Sequence, residues 1–562
     1  GAGAAMAVFC RAFSALLTVL EDAELNGTKA GCPLSPDGVR ACAAMLNTAV
    51  YYSVVTRQTV ATGGSGGDAA LLRAGALTLR HLRTAACRSE RLRASAGALG
   101  PPLLWTAPAV LAPPEAYGEW AEDAVLSTLP HVLPFQRRVA ALRRFIDQDR
   151  RACGAPSPDR TDEQPGALHR AAVSYEVRRA RLVEDGLQAF RLLAQSRAVL
   201  PAAAHAPTAG LRNPLHIAFV NAAGAREAGL DFGGLYKEFL TDMAAALCRE
   251  GHYGLWSKTE DGLVYPSTES VGGGDKRADS ETLLLYELAG QVLAKCLYEG
   301  VLVDAAVAPT FAAQILQGDS HVGLEDLAAM DKEIYASLMQ VKHDDGDVAD
   351  LCLDFTVEVE RFGARQTHEL VPKGGDVDVT ADNKLLYVHK LADYYLNRAT
   401  HRQRAAFKRG LLSLMRPSWL NMFSPGEFNL LTGGAVVDVS VDDLMKHTVL
   451  SGYSATSRTV KMFWRVVRGM SREDRSLLLK FVTSSSRPPA LGFGHLRPPF
   501  TLHKVACEAS PFAVIGLGKD AERLPSASTC FNTLKLPNFK KESTMRSKLL
   551  ASIRSGAGFD LS

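Results

Sequence analysis

The chain's ten cysteines are its residues best able to do covalent chemistry. None forms a C-x-x-C pair, and no Cys/His group has zinc-site spacing. Cysteines this sparse argue against a secreted disulfide scaffold and for reduced thiols in an intracellular compartment. A reduced thiol attacks as its thiolate, and at an ordinary pKa of about 8.5 only a few per cent is thiolate at neutral pH. Cys248, Cys296 and Cys352 lie in apolar helix or strand patterns and read as small buried residues. Cys507 follows a strand pattern and precedes Glu508, whose charge disfavours a thiolate. Cys530 has a different setting, Arg523-Leu-Pro-Ser-Ala-Ser-Thr-Cys-Phe-Asn-Thr-Leu-Lys-Leu-Pro537, between two proline-containing loops and with no acidic residue from Ser526 to Asn532. A cysteine hydrolase would also need a paired histidine and a group to orient it. His503 is the only histidine in the last 60 residues, and no orienting partner for it is evident in the sequence.

The elements that must position these thiols are mixed in kind. Phe500–Val505 reads as a strand, and Arg458–Arg468 and Arg472–Val482 read as helices. A last helix, with Ser543 as its cap, carries Met545, Leu549 and Ile553 at four-residue spacing and stops at Gly556. Thr448-Val-Leu-Ser-Gly-Tyr453 is a break, because Gly452 can take backbone angles other residues avoid. Ser424-Pro-Gly-Glu427 is a capping box with proline at the first helical position, and Gly433-Gly434 closes its helix. Between Ile334 and Phe407 the pattern gives strands at Leu351–Val359, Thr367–Val371 and Val377–Thr380, then a helix opened by Asn383. Further upstream, Ser174–Arg179 and Leu215–Val220 read as strands. Helices follow, one running through Cys248 and one over Glu281–Tyr298.

The first 165 residues are rich in alanine, the best helix former, and read as helices at Ala41–Val55, Ala69–Leu92 and Phe135–Arg150. In the last of these, Phe135, Val139, Leu142 and Ile146 make one apolar face, and the arginine-rich opposite face reads as solvated. Thr62–Gly67 is a glycine-rich linker rather than a phosphate cradle, and Cys153–Gly166 is a loop. The apolar stretch Met6–Leu20 is interrupted by Arg11 and is too short to span a bilayer. Five small residues precede Met6, so the chain reads as a piece of a longer protein.

Composition narrows the partners. The 562 residues hold 63 Lys and Arg against 60 Asp and Glu, a net charge of +3, which gives no general reason to expect nucleic acid or an anionic membrane. With 47% apolar residues the chain can bury sizeable cores.

Leu524-Pro525, Thr529-Cys530-Phe531-Asn532, Leu534 and Leu536-Pro537 resemble the active-site segment of HECT-type ubiquitin ligases. Other motifs share that resemblance: Phe481-Val-Thr, Gly492-Phe493, Gly558-Phe559, Gly229-Leu-Asp-Phe-Gly-Gly-Leu-Tyr-Lys-Glu-Phe-Leu240, Asn383, Asn397, Phe407-Lys-Arg-Gly410 and the Ser424 capping box. It covers roughly residues 166–562. Pro130-His-Val-Leu-Pro-Phe and Arg179–Gly186 resemble the plant "ubiquitin-protein ligase" subgroup, which lacks phospholipid- and proline-motif-binding modules.

The resemblance implies an α+β fold with a bilobal HECT domain. Residues 1–165 are expected as a helical extension. Residues 166–447 are expected as the N-lobe, with a small α/β conjugating-enzyme subdomain at about 325–395. Residues 448–453 are expected as a hinge at Ser451, Gly452 and Tyr453, and 454–562 as the C-lobe. The activity implied is transfer of ubiquitin from the thioester of a ubiquitin-conjugating enzyme to Cys530, then to lysines of protein substrates. Thr529 and Asn532 are expected to support that centre, and Phe559 to assist transfer. The conjugating-enzyme groove falls on Ile334, Leu351, Leu353, Tyr387 and Leu391. Leu351 and Leu353 share a strand face in this reading, Tyr387 and Leu391 share a helix face, and Tyr387 looks like an interface aromatic. No cofactor or metal is expected, and no nucleic acid or membrane span. The expected location is intracellular, cytoplasmic or nuclear. One departure from the family is Ser528, where many members carry histidine, so a general base at that position is in doubt. A helical scaffold with an inactive ligase portion is the alternative from another class. Thr529-Cys530 and Phe559 argue against it.

Overall fold

A computed structural model describes every residue except 1, 57–65, 96–113, 154, 156–172, 197–209, 214, 222, 228–233, 249–252, 273–274, 304–305, 317–321, 345, 347, 362–363, 435–437, 506–522 and 556–562. Most of the glycine run and of the Cys153–Gly166 loop, residues 229–233, Cys507, Gly556 and Phe559 therefore lie outside the described residues. For Cys530 the backbone is described and the side chain is not.

The chain leads with α1 (Ala2–Leu16), α2 (Asp22–Leu25), α3 (Pro36–Val55), α4 (Gly66–Ser95), α5 (Glu119–Thr128) and α6 (Phe135–Cys153). Next come β1 (Val173–Arg178), α7 (Leu182–Ala194), β2 (Leu215–Val220), α8 (Gly234–Cys248), β3 (Trp256–Lys258), β4 (Val264–Pro266), α9 (Lys276–Glu299) and α10 (Pro309–Leu316). A short α/β stretch holds α11 (Leu324–Leu327), α12 (Lys332–His343), β5 (Thr356–Arg361), β6 (Ala364–Glu369) and α13 (Lys384–Asp393). Then follow α14 (His401–Leu412), α15 (Pro417–Leu420), α16 (Pro425–Gly433), α17 (Val441–Lys446), β7 (Val449–Ser451), α18 (Arg458–Arg468), α19 (Arg472–Thr483), β8 (Thr501–Val505), β9 (Ser526–Ser528), β10 (Thr533–Pro537) and α20 (Glu542–Ser555). This mix of helices and short separate sheets is the expected α+β class.

Local chemistry accounts for many boundaries. Ser35 accepts from the Gly38 N–H at the start of α3. The Ser424 capping box forms as read, with Ser424 and Glu427 satisfying each other's backbone N–H groups. β1 and β2 pair in parallel, Val173 opposite Leu215, with α7 in the connection. Gly410 belongs to a close helix crossing. A Cβ on it would stand 1.9 Å from the Glu287 carbonyl oxygen, so α14 can lie against α9 only with glycine there.

Among the described residues, the buried apolar side chains form three clusters. The main core runs from Ala7 to Phe428 and crosses residue 165 without a break, so α1–α6 pack on the same core as β1, β2, α8, α9 and α14. A small core draws on residues Ala313 to Leu396. A C-terminal core draws on Val439 to Ile553.

Several readings from sequence need correction. The arginine face of α6 is not wholly solvated. Arg138 and Arg150 are buried, pairing with Glu427 at 2.5 Å and Glu299 at 2.7 Å. The acids that make this possible lie far along the chain. The strand expected from Leu351 starts at Thr356, because Val348–Leu351 forms a 3₁₀ turn and Cys352 takes φ +50°. Leu351 and Leu353 therefore do not share a strand face, and Cys352 is exposed rather than buried. Val377–Thr380 makes only an isolated bridge, Asp354 opposite Asp378. α20 begins at Glu542, before its expected cap Ser543. Within the break expected at 448–453, Val449–Ser451 is a strand of the C-terminal sheet. No helix among the described residues is long and apolar enough to cross a membrane.

Candidate active site

The Cys530 segment is an edge of a four-stranded sheet ordered β7-β8-β10-β9. β10 runs parallel to β8, Thr533 opposite Thr501, and antiparallel to β9, Thr533 opposite Ser528. Alternation along β10 sends Leu534 and Leu536, both fully buried, into the C-terminal core. Between β9 and β10 the chain makes a single 3₁₀ turn, Thr529–Phe531, with Cys530 at its centre. Phe531, the last residue of the turn, is 43% exposed.

Asn532 holds this turn. Its backbone is left-handed, φ +48° and ψ +43°, a region asparagine tolerates better than most side chains. The side chain is 3% exposed, and its Nδ2 donates to the Pro498 carbonyl at 2.6 Å. The Asn532 carbonyl accepts from the Thr501 N–H at 2.9 Å, and its own N–H reaches Thr529 O at 3.3 Å. Both the backbone angle and the amide are thus used to fix the residue two places after Cys530. Thr529 is half-buried.

The turn lies at a seam, packed on one side by α19 and on the other by α8 of the main core. Lys237 on α8 donates to the Arg497 carbonyl at 3.3 Å, one residue before the proline that anchors Asn532. Tyr453 donates to the Leu536 carbonyl at 2.8 Å, and Gly452, at φ +73°, lets the chain pass Lys504, whose Cβ would be 3.0 Å from a Cβ there. Ser451 Oγ shares a hydrogen bond with His503 Nδ1 at 2.9 Å. His503 stands opposite Lys535, two pairs along β10 from Thr533, and is partnered by the serine.

The other thiols differ in their surroundings. Burial pushes the Cys248 thiol up to about 12 and raises that of Cys296 as well, so neither holds a thiolate at neutral pH.

The structure brings Ile334, Leu353, Tyr387 and Leu391 to the small core, with Leu351 at its surface. Tyr387 is 6% exposed and meets the Phe355 ring edge to face at 5.6 Å, so it is a core residue and not an open interface aromatic. Ile334, Leu353 and Leu391 pack partly buried against that core, and Leu351 is 42% exposed. The sequence reading passed over Leu385 and Leu386, which start α13 at 59% and 47% exposed. Two adjacent leucines in the first turn of a helix cannot both face its core, which was the available signal. Among the described residues no group of three His, Cys, Asp or Glu is placed to hold a metal ion.

A family model described as HECT-domain (ubiquitin-transferase) matches residues 241–562. The chain is 38% identical over 440 residues to a probable E3 ubiquitin protein ligase of Schizosaccharomyces pombe, covering 78% of this chain and 38% of that protein. It is 33% identical over 455 residues to ubiquitin-protein ligase E3B of Mus musculus, covering 78% and 40%. It is 32% identical over 439 residues to E3 ubiquitin-protein ligase UPL6 of Arabidopsis thaliana, covering 78% and 39%. The chain thus spans about two fifths of the length of these relatives.

Proposed function

The chain belongs to the HECT-domain (ubiquitin-transferase) family, and from that premise we propose that it is a ubiquitin ligase whose Cys530 carries ubiquitin as a thioester. The single observation behind the assignment of this cysteine is the one-turn segment Thr529–Phe531, presented at a strand end and locked by the left-handed, buried Asn532. In the first step the Cys530 thiolate attacks the thioester carbonyl of the charged conjugating enzyme. A new S–C bond forms, and the conjugating enzyme's cysteine leaves as thiolate. Exchange of one thioester for another is nearly balanced in energy, so positioning is the main demand on the protein. In the second step a deprotonated substrate lysine attacks the same carbonyl, forms an amide and frees Cys530. Phe559, outside the described residues, is assigned to assist this transfer.

The three cores support a bilobal reading. The main and small cores make an N-lobe with its conjugating-enzyme subdomain, and the C-terminal core makes the C-lobe. Cys530 must reach a conjugating enzyme first and a substrate later, so the C-lobe moves as a body. The last buried residue of the main core is Phe428 and the first of the C-terminal core is Val439, which supports a moving joint before α17, with Ser451, Gly452 and Tyr453 travelling with the C-lobe. The docking surface for the conjugating enzyme comprises Leu351, Ile334, Leu353 and Leu391, with Leu385 and Leu386 added and Tyr387 supporting from beneath. Reduced thiols support an intracellular location, cytoplasmic or nuclear.

The test is to mix the chain with ubiquitin, activating enzyme, a conjugating enzyme and ATP. The expected product is a ubiquitin adduct that thiol reductant removes and Cys530→Ala abolishes. No adduct with any of a panel of conjugating enzymes would reject the assignment.

A further inference from the structure

Residues 17–25 lie between α1 and α3, yet several of their polar partners belong to elements of the small core. The Leu324 N–H donates to the Thr18 carbonyl at 3.1 Å. Gly323 is pressed so closely that a Cβ on it would stand 2.8 Å from the same oxygen. Lys342 at the end of α12 donates to Val19 O at 3.4 Å, to Glu21 Oε1 at 3.1 Å and to Glu24 Oε2 at 2.9 Å. His343 meets Glu21 Oε1, and Lys29 closes on Glu21 Oε2 at 2.8 Å. The side chains of Glu21, Glu24 and Lys342 are only 4%, 8% and 10% exposed. These charged groups are removed from water and answered by one another, and breaking such a group from one side is strongly disfavoured.

The same segment is tied to the main core at its other end. Ser14 and Thr78 share a hydrogen bond at 3.0 Å, and Thr78 also donates to Cys10 O at 3.0 Å, which locks α1 on α4. Arg83 of α4 pairs with Glu427 of α16 at 3.0 Å. A continuous line of buried contacts therefore runs from α12, through residues 18–24, α1 and α4, to α16. A second buried tie is Gln314 of α10, whose Nε2 donates to the Leu396 carbonyl at 2.7 Å and to Asn397 Oδ1 at 3.0 Å, whereas the Lys332–Glu260 pair is 68% and 73% exposed, and such surface pairs contribute little.

We infer that residues 17–25 are a brace that fixes the small core's orientation on the main core, and that Glu21 and Lys342 are positioning residues for ubiquitin loading. This rests on the reading above that the small core holds the conjugating enzyme. A small core free to tilt would hold the charged enzyme's thioester over a range of distances from Cys530. The braced one narrows that range before the enzyme binds, so the brace acts on the rate of transfer and not on the affinity for the conjugating enzyme.

The test uses the full chain with Glu21→Lys, Lys342→Met and the conservative Lys342→Arg. Three quantities are read: amide hydrogen exchange over 324–343, the dissociation constant for the conjugating enzyme, and the single-turnover loading rate at saturating charged enzyme. Glu21→Lys and Lys342→Met are expected to speed exchange over 324–343 by about tenfold, leaving β8 and β10 protected. They are expected to slow maximal loading by about fivefold with the dissociation constant within about twofold. Lys342→Arg keeps the cation that Glu21 and Glu24 face and should show less than about half of both losses. Unchanged exchange would overturn the brace. Faster exchange with an unchanged or higher maximal rate would overturn its role in loading. If the unsubstituted chain binds no conjugating enzyme, the site reading fails instead, while the exchange arm still judges the brace by itself.

Discussion

Three consecutive residues, Thr529–Phe531, make the turn that carries Cys530, whereas the small core builds Tyr387 into a packing of residues from α12, β5 and α13, with residues 18–24 pressed on its outside. The turn depends on one neighbour, Asn532, which supplies both the backbone angle and the buried amide. The small core depends on partners up to 323 positions away, as in Lys342 to Val19. A reactive turn needs a defined shape and an open front. The docking surface proposed above needs a rigid body behind it, and Tyr387 is buried in the small core.

Substitutions can break this contrast. Tyr387→Ala removes a ring from the Phe355 contact and is expected to cost about 3–5 kcal/mol, seen as loss of exchange protection over the small core. Tyr387→Phe should stay within about 1 kcal/mol. A cost below about 1 kcal/mol for the alanine variant would return Tyr387 to the surface and erase the difference between the two regions.

Asn532→Ala should cost about 2–4 kcal/mol in urea unfolding, combining about 1–2 for the left-handed backbone with the Pro498 carbonyl left without its donor. Asn532→Gly keeps the backbone angle and should recover about 1 kcal/mol of this. Equal costs for the two variants would mean that the left-handed angle does not shape the turn.

Acid separates the regions by another route. Burial pulls the Glu21 carboxyl upward, but its bonds to Lys29, Lys342 and His343 outweigh that and hold it down from 4.5 to about 2. Glu24, beside it, receives Lys342 as well, and Glu325 lies near Lys29. A carboxyl depressed on folding contributes stability above pH 4.5 that is lost as pH falls toward 2. Exchange over 324–343 should therefore quicken within that window before β8 and β10 respond. The reverse order would contradict the brace.

The smallest effect on stability is expected at Leu385→Ser, within about 0.5 kcal/mol because the side chain is already in water. Loading from the conjugating enzyme should nonetheless fall by about threefold if that leucine docks a partner.

How much could be read from the chain alone follows the same division. The Ser424 capping box, the Leu215–Val220 strand, the α18 helix and the glycine at 452 are set by neighbours within a few residues, and the structure has them where they were expected. The Cys530 segment stood out by its residue types and its resemblance to a family motif, but the 3₁₀ turn and the strands on either side of it were not read from the sequence. Arg138 with Glu427, Arg150 with Glu299 and Glu21 with Lys342 were not legible, because each pairs charges that sequence periodicity assigns to solvent. Leu351 was misplaced because an alternating pattern was interrupted by a 3₁₀ turn and the positive φ of Cys352, which period-two reading does not detect.

The central claim is that ubiquitin is carried on Cys530, and peptide mass spectrometry of a Cys530→Ser chain incubated with charged conjugating enzyme tests it most directly. Serine should trap ubiquitin as an oxyester that survives thiol reductant, mapped to position 530, while the unsubstituted chain's adduct disappears under the same reductant. An adduct that maps to another cysteine, such as the exposed Cys352, or that persists in Cys530→Ala, would contradict the account.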